Sequence, residues 1–125
     1  MSDVLNVPFS KISDQLFDYI CSLYQQDERF PYPLQHGQRG SLFGSAFATY
    51  VAQMLGRTNE LPGKQQIGAN ILALRNPATG LFADPDIIPE HFLNPDHHSE
   101  LYVSLQTTSF CYACLQALEV DVDWQ

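Results

Sequence analysis

The chain has 125 residues, 45% hydrophobic and 16% charged, with 14 acidic against 6 basic side chains and a net charge of −8. This composition suits one folded domain and excludes a disordered tail. With so few cations it argues against nonspecific nucleic-acid binding, and with no run of about 18 apolar residues it argues against a membrane span.

The first predicted helix covers residues 11–26. Ile12, Leu16, Phe17, Tyr19, Ile20, Leu23 and Tyr24 recur at three- and four-residue steps, which is one face of a helix. Ser10 is the expected N-cap, with Pro8 just before it. The second covers residues 42–55, with Ser41 as N-cap and Gly56 as a left-handed stop. Its small residues Ala46, Ala48 and Ala52 predict close packing of a neighbouring helix. The third covers residues 64–75, opened by Pro62-Gly63 and closed by Asn76-Pro77, with Ile67, Ile71, Leu72 and Leu74 as its apolar face. The fourth covers residues 99–119 and is apolar around most of its circumference, which predicts a central position. The expectation is a single all-α domain over residues 1–125, built of two antiparallel helix pairs.

The loops are unequal. Asn59 to Gly63 is short, whereas Asp27 to Gly40 and Asn76 to His98 are long and rich in proline. Long loops in a small domain are usually functional or mobile, and proline favours the first.

The two halves repeat. Ile20-Cys21-Ser22-Leu23 aligns with Ile71-Leu72-Ala73-Leu74 at an offset of 51 residues. Residues 27–33 then align with residues 78–85, with one gap. Ser45, Phe47, Gln53 and Leu55 align with Thr108, Phe110, Gln116 and Leu118 at an offset of 63 residues. The unit is helix, long loop, helix.

The stretch Ile71-Leu72-Ala73-Leu74-Arg75-Asn76-Pro77-Ala78-Thr79-Gly80-Leu81-Phe82, followed by an apolar helix, resembles the repeat of α/α-toroid proteins. Those include terpenoid cyclases, prenyltransferase β subunits, six-hairpin glycosidases and polysaccharide lyases. The resemblance implies an outer helix, a turn and an inner helix lining a cavity, with activity on a glycan or an isoprenoid. Such toroids hold five to seven hairpins and this chain holds two. The aspartate-rich motif of the cyclases is not reproduced, so no catalytic residue carries over. An uncapped slice of a repeat array leaves apolar faces open, which predicts self-association as a homodimer or docking on another protein.

Both long loops leave a first helix and enter a second, so they are expected at one end of the bundle. That end gathers all four histidines with several aspartates: His36, Arg39, Asp84, Asp86, His91, Asp96, His97 and His98. Carboxylates beside imidazoles suit acid–base chemistry, and His97, His98, Asp84 and Asp86 are the catalytic candidates. The same residue types suit a metal, but they also suit helix caps and turns, and neither metal nor cofactor is assigned. His36, Arg39, Phe82, Phe92 and Tyr102 are the candidates for holding a small ligand, since aromatic side chains with a few polar groups line many ligand clefts.

Three further features have modest readings. Cys111-Tyr112-Ala113-Cys114 spells C-x-x-C, but with no second pair and no preceding strand the sulfurs read as buried small side chains. Gly37-Gln38-Arg39-Gly40-Ser41 leads into a helix N-terminus, as either an anion site or a flexible entry. Three cysteines and the lack of an apolar leader point to a reducing cytoplasm. The functional expectation is a small-ligand-binding or assembly module that associates through apolar helix faces. The alternative is an enzyme, or part of one, of the toroid type.

Overall fold

The structure is a computed structural model that describes residues 8–86 and 100–122. Among these the fold is all-α, with four α-helices and no strand. The helices are α1 (Phe9–Ser22), α2 (Leu42–Met54), α3 (Lys64–Leu72) and α4 (Glu100–Ala117), and a short 3-10 turn at Thr58–Glu60 precedes α3.

Both ends of α1 and the end of α3 depart from their sequence expectation for backbone reasons, while α2 and α4 stop at Met54 and Ala117, one and two residues short of theirs. α1 starts earlier than Ser10 suggests. The Pro8 carbonyl accepts from Lys11 N–H (3.0 Å) and Ile12 N–H (3.3 Å), and proline lacks only an N–H that a helix start leaves unpaired. α1 also stops at Ser22 rather than residue 26, because Gln25 N–H turns away to the Pro31 carbonyl at 2.7 Å. α3 stops at Leu72 rather than Arg75. Arg75 forms an isolated antiparallel bridge with Phe82, and Asn76, which precedes Pro77, is biased away from helical backbone. The predicted start of α4 at Ser99 lies outside the described residues, and the helix ends at Ala117.

α2 follows its signals. The Ser41 hydroxyl accepts from Gly44 N–H at 3.0 Å, and Gly56 takes φ +70° just beyond the helix. There Gly56 N–H reaches the Gln53 carbonyl (3.0 Å) and Arg57 N–H the Ala52 carbonyl (2.8 Å), the paired bonds of a Schellman cap. α4 closes alike. Glu119 takes φ +58°, Glu119 N–H reaches the Gln116 carbonyl (3.0 Å) and Val120 N–H the Leu115 carbonyl (2.9 Å).

The same duplication runs through the loops. Leu23 and Tyr24 donate to Ile20 and Cys21, as Leu74 and Arg75 donate to Ile71 and Leu72. Gln25 N–H meets the Pro31 carbonyl, as Asn76 N–H meets the Leu81 carbonyl at 2.8 Å. A buried aromatic residue then donates its amide to a hydroxyl on the second helix: Tyr32 N–H to Ser45 Oγ at 3.2 Å, Phe82 N–H to Thr108 Oγ1 at 3.0 Å. The turn residues keep the offset of 51 and Ser45–Thr108 that of 63, but Pro31–Leu81 and Tyr32–Phe82 stand 50 apart, so the gap runs opposite to the expected alignment of 27–33 with 78–85.

The core lies between the two pairs. Tyr32, Phe82, Ile67, Ile71, Leu115, Cys111 and Cys114 are fully buried, with Ala46, Ala48 and Ala52 letting the α2 backbone come close to its neighbours. α4 packs on both α2 and α3, as its apolar circumference predicts, but its flank at Tyr102 and Leu105 stays exposed. Gly44 is required by a close approach: a Cβ there would lie 2.1 Å from the Tyr32 carbonyl oxygen, so the first loop crosses directly over α2. No described helix is long and apolar enough to cross a membrane.

Candidate ligand cleft at the loop end

The returning first loop and the residues after Phe82 meet over the start of α2. Together they enclose a cleft of about 480 Å³, lined by Leu34, Gln38, Arg39, Gly40, Ser41, Leu42, Phe43, Asp84 and Asp86. Three of the sequence candidates, Arg39, Asp84 and Asp86, therefore share one site.

Asp84 is its anchor. Its carboxylate is 2% exposed, and Oδ1 accepts from Arg29 Nη2 at 3.0 Å and from Asp86 N–H at 2.9 Å. A buried carboxylate needs donors in place of the lost water, and here a guanidinium and an amide supply them. Arg29 also reaches Asp86 Oδ2 at 3.4 Å and lies 4.7 Å from the centre of the Phe30 ring. Asn70 on α3 donates to the Arg29 carbonyl at 2.7 Å, which fixes the backbone from which the guanidinium extends. Asp86 is 84% exposed and belongs to the rim. Arg39, 87% exposed, makes two 3.3 Å contacts with the Glu28 carboxylate at the rim. The cleft thus combines the apolar Leu42 and Phe43 with the buried Asp84 and the exposed charges of Arg39 and Asp86.

The other candidates fall elsewhere. His36 packs edge-on against Tyr19 with ring centres 5.7 Å apart, and its Nε2 lies 3.3 Å from Ser22 Oγ. Phe82 is fully buried with its ring 4.8 Å from Tyr112, so it supports the core and offers no wall to a ligand. Tyr102 lines a separate open groove on α4. His91, Phe92, Asp96, His97 and His98 lie outside the described residues. Among the described residues no three His, Cys, Asp or Glu side chains converge on a common metal position.

Arg29 and Glu28 are the site residues that sequence reasoning missed. Each is paired across the chain, Arg29 with Asp84 and Glu28 with Arg39, and no local spacing signals such a pairing. The available clue is scarcity: with only six basic side chains, each arginine near a proline-rich loop is a candidate partner for a carboxylate.

The cysteines take no part. All three are free, and Cys111 and Cys114 are fully buried. Burial, with the neighbouring Cys114 adding to it, pushes the Cys111 thiol up to about 12. Burial raises Cys114 to about 11 against an opposing hydrogen bond from Thr49. Neither is a thiolate at neutral pH, so neither is a nucleophile there.

No family model, no curated protein and no solved structure matches the chain.

Proposed function

We propose that the chain is an assembly module that associates through its apolar helix faces and holds a small ligand at the loop-end cleft. One observation carries the assembly part. Phe9, Ile12, Leu16 and Tyr19 are all exposed, and their spacing sets them in one stripe along α1. A continuous apolar stripe facing water is costly unless a partner covers it, and such stripes mark interaction surfaces. Light scattering over a concentration series tests this. The expected result is a mass at or above that of a dimer, and a monomer at every concentration overturns it.

Ligand binding is favoured by the cleft itself, where charges from two loops accompany the apolar Leu42 and Phe43. Asp84, 2% exposed and held by Arg29 and the Asp86 amide, is suited to keeping the wall in shape. Binding therefore ranks above the acid–base alternative on a glycan or isoprenoid that Asp84, Asp86, His97 and His98 suggest. NMR titration with a short oligosaccharide is the test. Shifts confined to Arg39, Ser41 and Phe43, and abolished by Phe43→Ala, support the site; unmoved amides there overturn it for that ligand class.

A further inference from the structure

We propose that copies of this chain join head to tail, each new contact reproducing the junction between the two halves of one chain. The proposal rests on the assembly reading above and names the partner as a second copy.

Beside the contacts that Asn70, Asp84 and Asp86 make with Arg29, three side chains of the second unit at the internal junction have counterparts in the first. Ile67 on α3 is fully buried. Gln66 donates to the carbonyls of Gln26 and Glu28 in the first loop. Phe110 on α4 sets its ring edge-on to Phe43 (5.4 Å) and stacks on Tyr50 (6.4 Å), whose hydroxyl donates to the Phe110 carbonyl at 3.0 Å. Stepping back by 51 and 63 residues gives Gln15, Leu16 and Phe47. The glutamine, the aliphatic residue and the phenylalanine are all present in the first unit. There, however, Leu16 is 46% and Phe47 is 51% exposed. The first unit carries the docking set on an open edge.

The second unit carries the seat. Stepping forward by 63 residues takes Phe43 and Tyr50 to Gln106 and Ala113. These two residues, with Tyr102, Leu105 and Ser109, line an open groove of about 500 Å³ along α4, bordered by Tyr50 and Phe110 of the internal junction. Where the internal seat has the rings of Phe43 and Tyr50, this one has Gln106 and the small Ala113, beside the 52% exposed Leu105. The loop that receives Gln66 also has its counterpart, since the turn at Asn76 repeats the hydrogen bonds of the turn at Gln25. An exposed knob on the first unit and an open seat on the second describe a heterologous contact, in which the two surfaces differ. A two-fold dimer pairing α1 stripes would leave the α4 groove empty.

Two double variants separate the cases, and all four positions are exposed, so the core is untouched. Leu16→Glu with Phe47→Glu blocks the knob edge, and Leu105→Arg with Ala113→Arg blocks the seat. Circular dichroism verifies that each is folded, and Leu16→Ser with Phe47→Ser replaces the first if it is not. Light scattering is then read on the wild-type chain, each variant and their equimolar mixture. The expected result is an associated wild type, two monomeric variants and a mixture with twice the monomer mass, because one intact knob meets one intact seat. Either variant keeping the wild-type mass, or a mixture that stays monomeric beside an associated wild type, overturns the head-to-tail arrangement and leaves the assembly reading standing. A wild-type chain that is monomeric throughout overturns both.

Discussion

The two helix–loop–helix units close their loops in the same way and are finished with different side chains. In each, a buried aromatic amide donates to a hydroxyl on the second helix, and a left-handed residue caps that helix. Yet Gly44 of the first unit is Thr107 in the second, Gly56 is Glu119, and the exposed Leu16 is the buried Ile67. Backbone polar groups must be satisfied wherever the chain turns, so the hydrogen-bond scheme is retained. Side chains answer to whatever covers them, and the first and second units have different neighbours.

The comparison can be broken first at Gly44. Alanine normally favours a helix over glycine by about 1 kcal/mol. Here its Cβ would meet the Tyr32 carbonyl oxygen at 2.1 Å and the Pro33 carbonyl carbon at 2.6 Å, both backbone atoms. Gly44→Ala is expected to cost about 3 kcal/mol through overpacking. Thr107→Ala at the equivalent place should cost about 1 kcal/mol, since it removes small groups without a clash. Urea denaturation of both variants measures the contrast, and equal losses would mean that the first loop does not lie on α2 as described.

The duplicated hydroxyls sharpen it next. Ser45→Ala and Thr108→Ala each leave a buried amide without an acceptor, at an expected cost of about 2 kcal/mol apiece. Thr108→Ser, which keeps the oxygen, should recover most of that loss. If Ser45→Ala proved neutral while Thr108→Ala did not, the two loops would not share one closing bond.

The helix caps predict effects of opposite sign. Gly56→Ala forces a Cβ into left-handed backbone and should destabilise by about 1 kcal/mol, whereas Glu119→Gly relieves the same strain and should stabilise by up to about 1 kcal/mol. Thermal melts of the two variants should shift in opposite directions, and a shift of one sign for both would contradict the matched caps.

The smallest effect at neutral pH comes from the thiols, which the second unit buries at two positions where the first has Ala48 and Val51. Their folded values, about 12 for Cys111 and about 11 for Cys114, lie above the ordinary value of 9.0. Above pH 9 the unfolded thiols release protons that the folded ones keep, so the slope of stability with pH is negative. This contribution is fully present below pH 9 and declines as the pH approaches 11 to 12. Cys111→Ala with Cys114→Ala should flatten the alkaline end of a stability profile. In the native wild type a thiol reagent should modify the partly exposed Cys21 well ahead of the other two.

Much of the fold was legible in the linear sequence. Helix positions followed from apolar spacing, Ser41 and Gly56 marked the ends of α2, and the alignment of Ile20–Leu23 with Ile71–Leu74 anticipated hydrogen bonds that recur at the same offset. Helix ends were less legible. Ser22 and Leu72 close their helices where Gln25 and Asn76 donate to carbonyls downstream, Pro31 and Leu81, partners that helical spacing does not reveal. Of the site, the sequence placed Arg39, Asp84 and Asp86 on loops expected to meet, and they line one cleft. It did not separate His36 and Tyr102 from them, nor show that Phe82 is core.

The division has a physical basis. Periodicity and capping are properties of residues within a few positions of one another, so the all-α class, the helices and the repeated unit were determined by the sequence itself. The Arg29–Asp84 pair joins residues far apart in the chain, and so does the seating of Phe110 between Phe43 and Tyr50. Only the packing of one unit on the other decided those contacts, and with them which apolar side chains were buried and which edges were left open.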